Sequence, residues 1–137
     1  MTGIWALTIG TVLAGAFCLV RQRLVVVTVT GTSMRPSYLA GQRVLVWRRR
    51  RHLRTGDVVV LERPDPGRGW RKFATRRWLI KRVAAVAGER VPEASSGSLV
   101  PPGFLFVLGD DRGSYDSRHF GLCPVERVLG VVLCRIV

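Results

Sequence analysis

Charge is missing from the start of the chain, and the sequence breaks there into two patterns. Residues 2–20 carry no charged side chain, and residues 4–20 form a mostly apolar run closed by Arg21-Gln22-Arg23. A bilayer-spanning helix needs roughly 20 apolar residues, with a range of about 17 to 25. A cleavable leader would want a basic start and small residues before the cut. Met1-Thr2-Gly3 has no Lys or Arg, and Arg21-Gln22-Arg23 is a poor cleavage site. Residues 1–23 therefore read as a retained N-terminal transmembrane helix, with a buried core helix as the alternative.

After residue 23 the period shortens. Apolar runs broken by Gly, Pro and Asp predict strands over 24–30, 43–47, 57–62, 78–86, 104–108 and 128–137. Pro36, Gly41, Gly56, Gly88, Pro101-Pro102-Gly103 and Gly121 supply the turns between them. Residues 63–75 and 90–100 read as irregular. Neither a repeat nor a second domain is visible. The fold class is mainly β: an anchor over 1–23, then a compact, mostly antiparallel β-domain over 24–137.

The net charge of +13 adds a question about partners. Residues 43–54 hold six arginines and no acid, including Arg48-Arg49-Arg50-Arg51. Such a cluster can neutralise nucleic-acid phosphates, sit in solvent, or meet anionic headgroups with Trp47, Trp70 and Trp78 nearby. No helix-turn-helix, zinc-finger or RNA-binding motif accompanies it, so nucleic acid is not the expected partner. Arg21 and Arg23 alone would put the β-domain on the cytoplasmic side. Cys18, Cys123 and Cys134 have no metal-ligand spacing. A Cys123–Cys134 disulfide and two free thiols both stay open.

The chemistry enters through a rare residue. Of 22 basic side chains, only Lys72 and Lys81 are lysines. Arginine keeps its proton in a protein, whereas a buried lysine can lose it and act as a base. Along a strand Leu79, Lys81 and Val83 share one face, and Ile80 and Arg82 the other. Ser33, in Gly31-Thr32-Ser33-Met34-Arg35-Pro36, is the candidate nucleophile such a base would activate. The same counting puts Val27, Val29, Gly31 and Ser33 on one face, a trough for an extended peptide. Alone, Ser33 is a turn residue and Lys81 an edge or snorkelling one. Residues 109–121, with three Asp, two Arg and two Ser between glycines, would be a solvated loop. His119 beside Asp116 invites a Ser-His-Asp triad, which is not preferred, and His52 reads as surface.

Four blocks in order nevertheless resemble the bacterial type I signal peptidases, membrane-bound serine endopeptidases that remove leader peptides. They are Gly31-Thr32-Ser33-Met34-Arg35-Pro36-Ser37, Gly56-Asp57-Val58-Val59-Val60, Lys81-Arg82-Val83 through Gly88-Glu89, and residues 109–121. The resemblance implies Ser33 as nucleophile, Lys81 as general base and Ser114 as the group orienting the amine. It implies that Asp110 pairs with Arg82 and Asp116 with Arg118, and that the Ser33 N–H serves the oxyanion. Val27, Val29, Gly31, Met34 and Ile80 would line the pocket for small substrate residues. It further implies preprotein signal peptides as substrates, the lipid bilayer as partner, no metal or cofactor, and an extracytoplasmic catalytic domain, against the charge rule. The substrate would bind as an added strand beside residues 27–31. Ser37, Gln42, Glu89 and Asp111 depart from the family's usual Thr, Asp, Asp and Asn, one residue is missing between Arg112 and Ser114, and 88–101 is too short for an accessory domain. These point to a minimal catalytic core. The rivals are a specialised maturation protease for one leader, a self-cleaving repressor with the same dyad, and a non-catalytic basic membrane or nucleic-acid binding module.

Overall fold

The computed structural model describes residues 2–67, 69–70, 78–92 and 97–136, with side chains from Thr8 onward. The uncharged opening forms helix α1, Thr2–Arg23. Its described side chains are exposed throughout, with Ile9, Val12, Leu13, Phe17 and Leu19 all more than half exposed. This overturns the core-helix alternative, because α1 from Thr8 onward buries no face against the protein. Among the described residues no helix is long and apolar enough to cross a membrane, so the expected transmembrane span is present only as a helix.

The remainder is one antiparallel sheet. Its strands are β1 (Leu24–Thr28), β2 (Arg43–Trp47), β3 (Val58–Glu62), β4 (Trp78–Val86), β5 (Phe104–Leu108), β6 (Cys123–Pro124) and β7 (Val128–Ile136). They lie side by side in the order β1-β2-β7-β3-β4-β5-β6. The six expected strands are there with small changes at their ends. β1 stops at Thr28 rather than 30, and β3 starts at Val58 rather than Asp57. Three short pieces were not anticipated: the two-residue β6, the one-turn helix α2, Ser117–Phe120, and a 3-10 turn over Val125–Arg127. Irregular backbone over 63–75 and 90–100 is relieved by the bridges Asp65–Gly69 and Arg90–Leu99; 68, 71–75 and 93–96 lie outside the described residues.

Strand alternation builds two main cores. Val59, Leu61 and Val83 pack with Leu105, Val107, Cys123 and Val128, while Val58, Val60 and Ile80 pack with Val29, Met34, Val44 and Val46. Register slips at Leu45/Val46, Val60/Leu61 and Val83/Ala85 bend the strands that carry them. The sheet curls until β1 and β4, with three strands between them in the order, line a common groove. Gly130 permits one close approach: a Cβ there would lie 2.2 Å from the Trp47 carbonyl oxygen. The cysteines are unpaired, Cys123 buried and Cys134 exposed. Burial pushes the Cys123 thiol up to about 12, which makes it a core side chain rather than a reactive one.

Candidate functional site

The groove holds about 540 Å³ and is lined by Val27, Val29, Gly31, Ser33, Met34 and Ile80, among others. These residues do not share a face by strand alternation. β1 ends at Thr28, Val29 still pairs with Gly41 and Gln42 before β2, and Gly31 (φ +84°) then turns the chain into the bend carrying Ser33. A side chain at that φ would be strained. The Arg35–Pro36 peptide is cis. Met34 is buried beneath the bend, and Ser33 is half-buried at its lip. The extended trough thus survives as a groove, but a turn presents the serine to it.

Lys81 is 1% exposed, the largest fully buried side chain among the described residues. It sits opposite Val59 in the β3–β4 register, between Leu79 and Val83 on its own strand. Its Nζ donates to Ser114 Oγ at 2.7 Å. Burial lowers its pKa from 10.5 to about 8. Asp116 opposes that shift, and Arg118 and Arg63 reinforce it. The amine is therefore poised to lose its proton near neutrality. In this structure its hydrogen bond goes to Ser114, and a direct bond to Ser33 Oγ is not among those formed by the described residues.

Ser33 and Ser114 meet at Gly109. The Ser114 hydroxyl and the Ser33 carbonyl oxygen both come within 2.5 Å of the point where a Gly109 Cβ would stand. The Asp111 N–H also donates to the Ser33 carbonyl at 3.1 Å. Three segments remote in sequence are thus brought together: the serine turn, the lysine strand and the acidic loop.

The acidic loop is not merely a solvated one: Ser114, Asp116 and Ser117 are buried within it, while Arg112, Gly113, Arg118 and His119 stay exposed. Asp116 binds Arg118 through both oxygens at 3.0 and 2.8 Å and accepts the Gly109 N–H at 2.9 Å. Burial pushes the Asp116 carboxyl up, but Arg118 and the Gly109 and Arg118 amides outweigh it and hold the group below its usual range. Ser117 Oγ accepts the Val107 N–H at 2.9 Å, tying α2 to β5. On the other side of β4, Arg82 grips Asp110 bidentately at 2.9 and 2.7 Å. Arg82 holds the Asp110 carboxyl low, and the Ser37 hydroxyl adds to the effect. His119 is half-exposed, its Nδ1 accepts the Asp116 N–H at 3.4 Å, and it lies outside the groove lining. Among the described residues no group of three or more His, Cys, Asp or Glu could hold a metal ion.

Sequence reasoning missed Gly109, Ser117, Ser37 and Arg63. Gly109 does not take a positive φ; its need for glycine comes from neighbours distant in sequence, which no local pattern reveals. Ser117 follows Asp116 in an N-cap pattern that α2, at one turn, was too short to display.

A model of the signal peptidase family, peptidase S26, matches residues 3–94 and 91–137. Mitochondrial inner membrane protease subunit 2 of Schizosaccharomyces pombe is 32% identical over 130 residues, covering 86% of this chain and 66% of that protein. Mitochondrial ATP-independent inner membrane protease subunit 1a of Arabidopsis thaliana is 35% identical over 91 residues, 59% of this chain and 49% of that protein. Signal peptidase I of Bacillus caldolyticus is 49% identical over 41 residues, 29% of this chain and 22% of that protein. The chain thus spans less than two thirds of the length of these relatives. The match to the family model runs through the serine turn, the lysine strand and the acidic loop alike: the chain belongs to the signal peptidase family, peptidase S26.

Proposed function

We propose that the protein is a serine endopeptidase that removes signal peptides from exported preproteins, with Ser33 as nucleophile and Lys81 as general base. One observation carries this: a buried amine, shifted to about 8, hydrogen-bonded to Ser114 at the junction that also holds Ser33. In the ammonium form Lys81 is idle; once neutral, it takes the proton from Ser33 Oγ as that oxygen attacks the scissile carbonyl. The Ser33 N–H, which no backbone carbonyl takes among the described residues, serves the oxyanion. Lys81 returns its proton to the leaving amine, and a water, deprotonated by the same lysine, hydrolyses the acyl-enzyme. Ser114 holds Nζ in place, and the Asp116–Arg118 and Asp110–Arg82 pairs hold the loop and the serine turn around it.

The leader peptide adds to the free edge of β1 and lays small side chains into the groove between β1 and β4. The apolar lining from Val27, Val29, Met34 and Ile80 supports small apolar residues there. Helix α1 keeps the enzyme at the bilayer. Its exposed Ile9, Val12, Leu13, Phe17 and Leu19 find no protein cover, and an apolar surface on every side of a helix calls for an apolar surrounding. The catalytic domain stands on the extracytoplasmic side, where preproteins emerge, and Arg48 to Arg51 beside the α1 terminus face the headgroups.

The test is cleavage of a preprotein by the detergent-solubilised chain, with sequencing of the new N-terminus. Ser33→Ala and Lys81→Ala should each abolish the cut while leaving the fold intact. A basic binding module would be indifferent to both. Protection of the domain from protease added to intact spheroplasts would defeat the proposed side.

A further inference from the structure

One charge in the groove is not used by the chemistry above. Arg63, just past the end of β3, lines the same groove as Ser33 and Ile80, in a wall otherwise built mainly from Val, Met, Trp, Leu and Ile. It is half-buried, and its guanidinium carbon lies 5.5 Å from the centre of the Tyr115 ring. The ring holds one side of the cation and fixes where its N–H groups point. Arginines elsewhere in the domain are committed: Arg82 to Asp110, Arg118 to Asp116, Arg127 to Glu62. The ion pairs formed among the described residues do not include Arg63. A guanidinium partly desolvated, held by an aromatic ring and open to a substrate groove is a receptor for a carboxylate, which it can bind through two parallel hydrogen bonds.

We propose that Arg63 is a specificity residue that selects substrates carrying an aspartate or glutamate in the segment lying in the groove, on the leader side of the scissile bond. The proposal rests on the peptidase reading above. A purely apolar groove would select small neutral side chains along its whole length. Arg63 adds one position where a carboxylate is favoured over its neutral isostere and a basic side chain is repelled. Its charge also reaches Lys81, so an acid bound there stands near the catalytic amine as well.

The experiment uses the full chain in detergent and leader-type peptides that differ at a single position. Asp, Asn or Lys is placed in turn at each of the residues before the cut. At one position, kcat/KM for Asp should exceed that for Asn by about tenfold, the scale of a charge-assisted hydrogen bond, with Lys poorer than both. Arg63→Gln should bring the Asp/Asn ratio near one, and Arg63→Glu should turn the preference toward Lys. A change in Lys81 basicity or a packing role for Arg63 would alter all peptides together and leave the ratio untouched. Binding of the same peptides to Ser33→Ala, read by fluorescence anisotropy, reports the preference without chemistry. It separates failure of the peptidase reading (no peptide cut, preference present) from failure of this one. An Asp/Asn ratio near one at every position in the wild-type chain, or a preference that survives Arg63→Gln, overturns the proposal.

Discussion

Gly109 and Ser114 leave no room between them: a Cβ on Gly109 would stand 2.0 Å from the Ser114 hydroxyl and 2.3 Å from the Ser114 Cβ. Neither atom can retreat, since Ser114 is buried and hydrogen-bonded to Lys81. Gly109→Ala should therefore cost about 1–3 kcal/mol from overpacking. It should also displace the serine turn from the lysine strand, lowering kcat/KM on the order of a hundredfold, the cost of an ångström-scale misplacement. Denaturant unfolding and peptide kinetics on the one variant check both. Activity near wild type would show that the junction does not align the site.

The Lys81 amine should set the pH profile. With Lys81 as the proposed base only the neutral amine is active, so kcat/KM should rise with pH and level off above a midpoint near the value of about 8. Stability carries the same signature. Below about 8 the lysine is charged in both states and its burial cost is constant. Between about 8 and 10.5 the unfolded chain holds a proton the folded one has shed, so stability climbs with pH. Lys81→Met should be more stable than wild type at pH 7 and lack that climb. Equilibrium unfolding from pH 7 to 11 measures it.

Ser114 Oγ accepts from Nζ, and an acceptor favours the charged amine. Ser114→Ala should lower kcat roughly ten- to a hundredfold, a part of what acid–base catalysis supplies, with KM little changed. It should also move the pH midpoint downward. An unmoved midpoint would assign Ser114 to packing alone.

Asp110 joins the serine turn, through Ser37, to Arg82 on the lysine strand. The Arg82 side chain is 37% exposed, so water screens the pair and its loss should cost at most about 1 kcal/mol. Asp110→Asn should hence fold almost normally yet lose activity beyond what that small cost explains. Thermal melts and kcat/KM on the same preparation distinguish the two effects.

Asp116 is the costlier carboxylate, fully buried and shared by Arg118 and the Gly109 amide. Asp116→Asn should destabilise by about 1–3 kcal/mol, the price of leaving such partners unsatisfied. Because its folded pKa is depressed, this contribution is present above the usual carboxylate value of 3.8 and fades as pH falls through the lower folded value. Acid unfolding of the variant should therefore be less pH-dependent than that of wild type.

How much could be read from the chain alone follows the range of the forces. β3, β4 and β5 are apolar runs bounded by Gly, Pro and Asp, and they were legible to within one residue at their ends. The position of Ser33 was not, because a period of two cannot register that Gly31 ends the extended backbone. The acidic loop looked hydrophilic because composition does not show that Asp116 is buried against Arg118 and the Gly109 amide, or that Asp110 pairs with Arg82 of β4. The β6 strand and α2 were too short to carry any period. Gly109 was unreadable in principle, being constrained by Ser33 and Ser114 rather than by its own neighbours.

β1 begins at the residue after α1 ends, and the Arg48 N–H fastens to the Arg23 carbonyl at 2.7 Å. With no slack between helix and groove wall, an enzyme held in lipid by α1, as proposed above, would have the height of its cut geared to the helix axis. On that reading it would work as a gauge, accepting leaders whose cleavage point stands at one distance from the bilayer. A flexible insert between Arg23 and Leu24 should blur that distance before it blunts the chemistry.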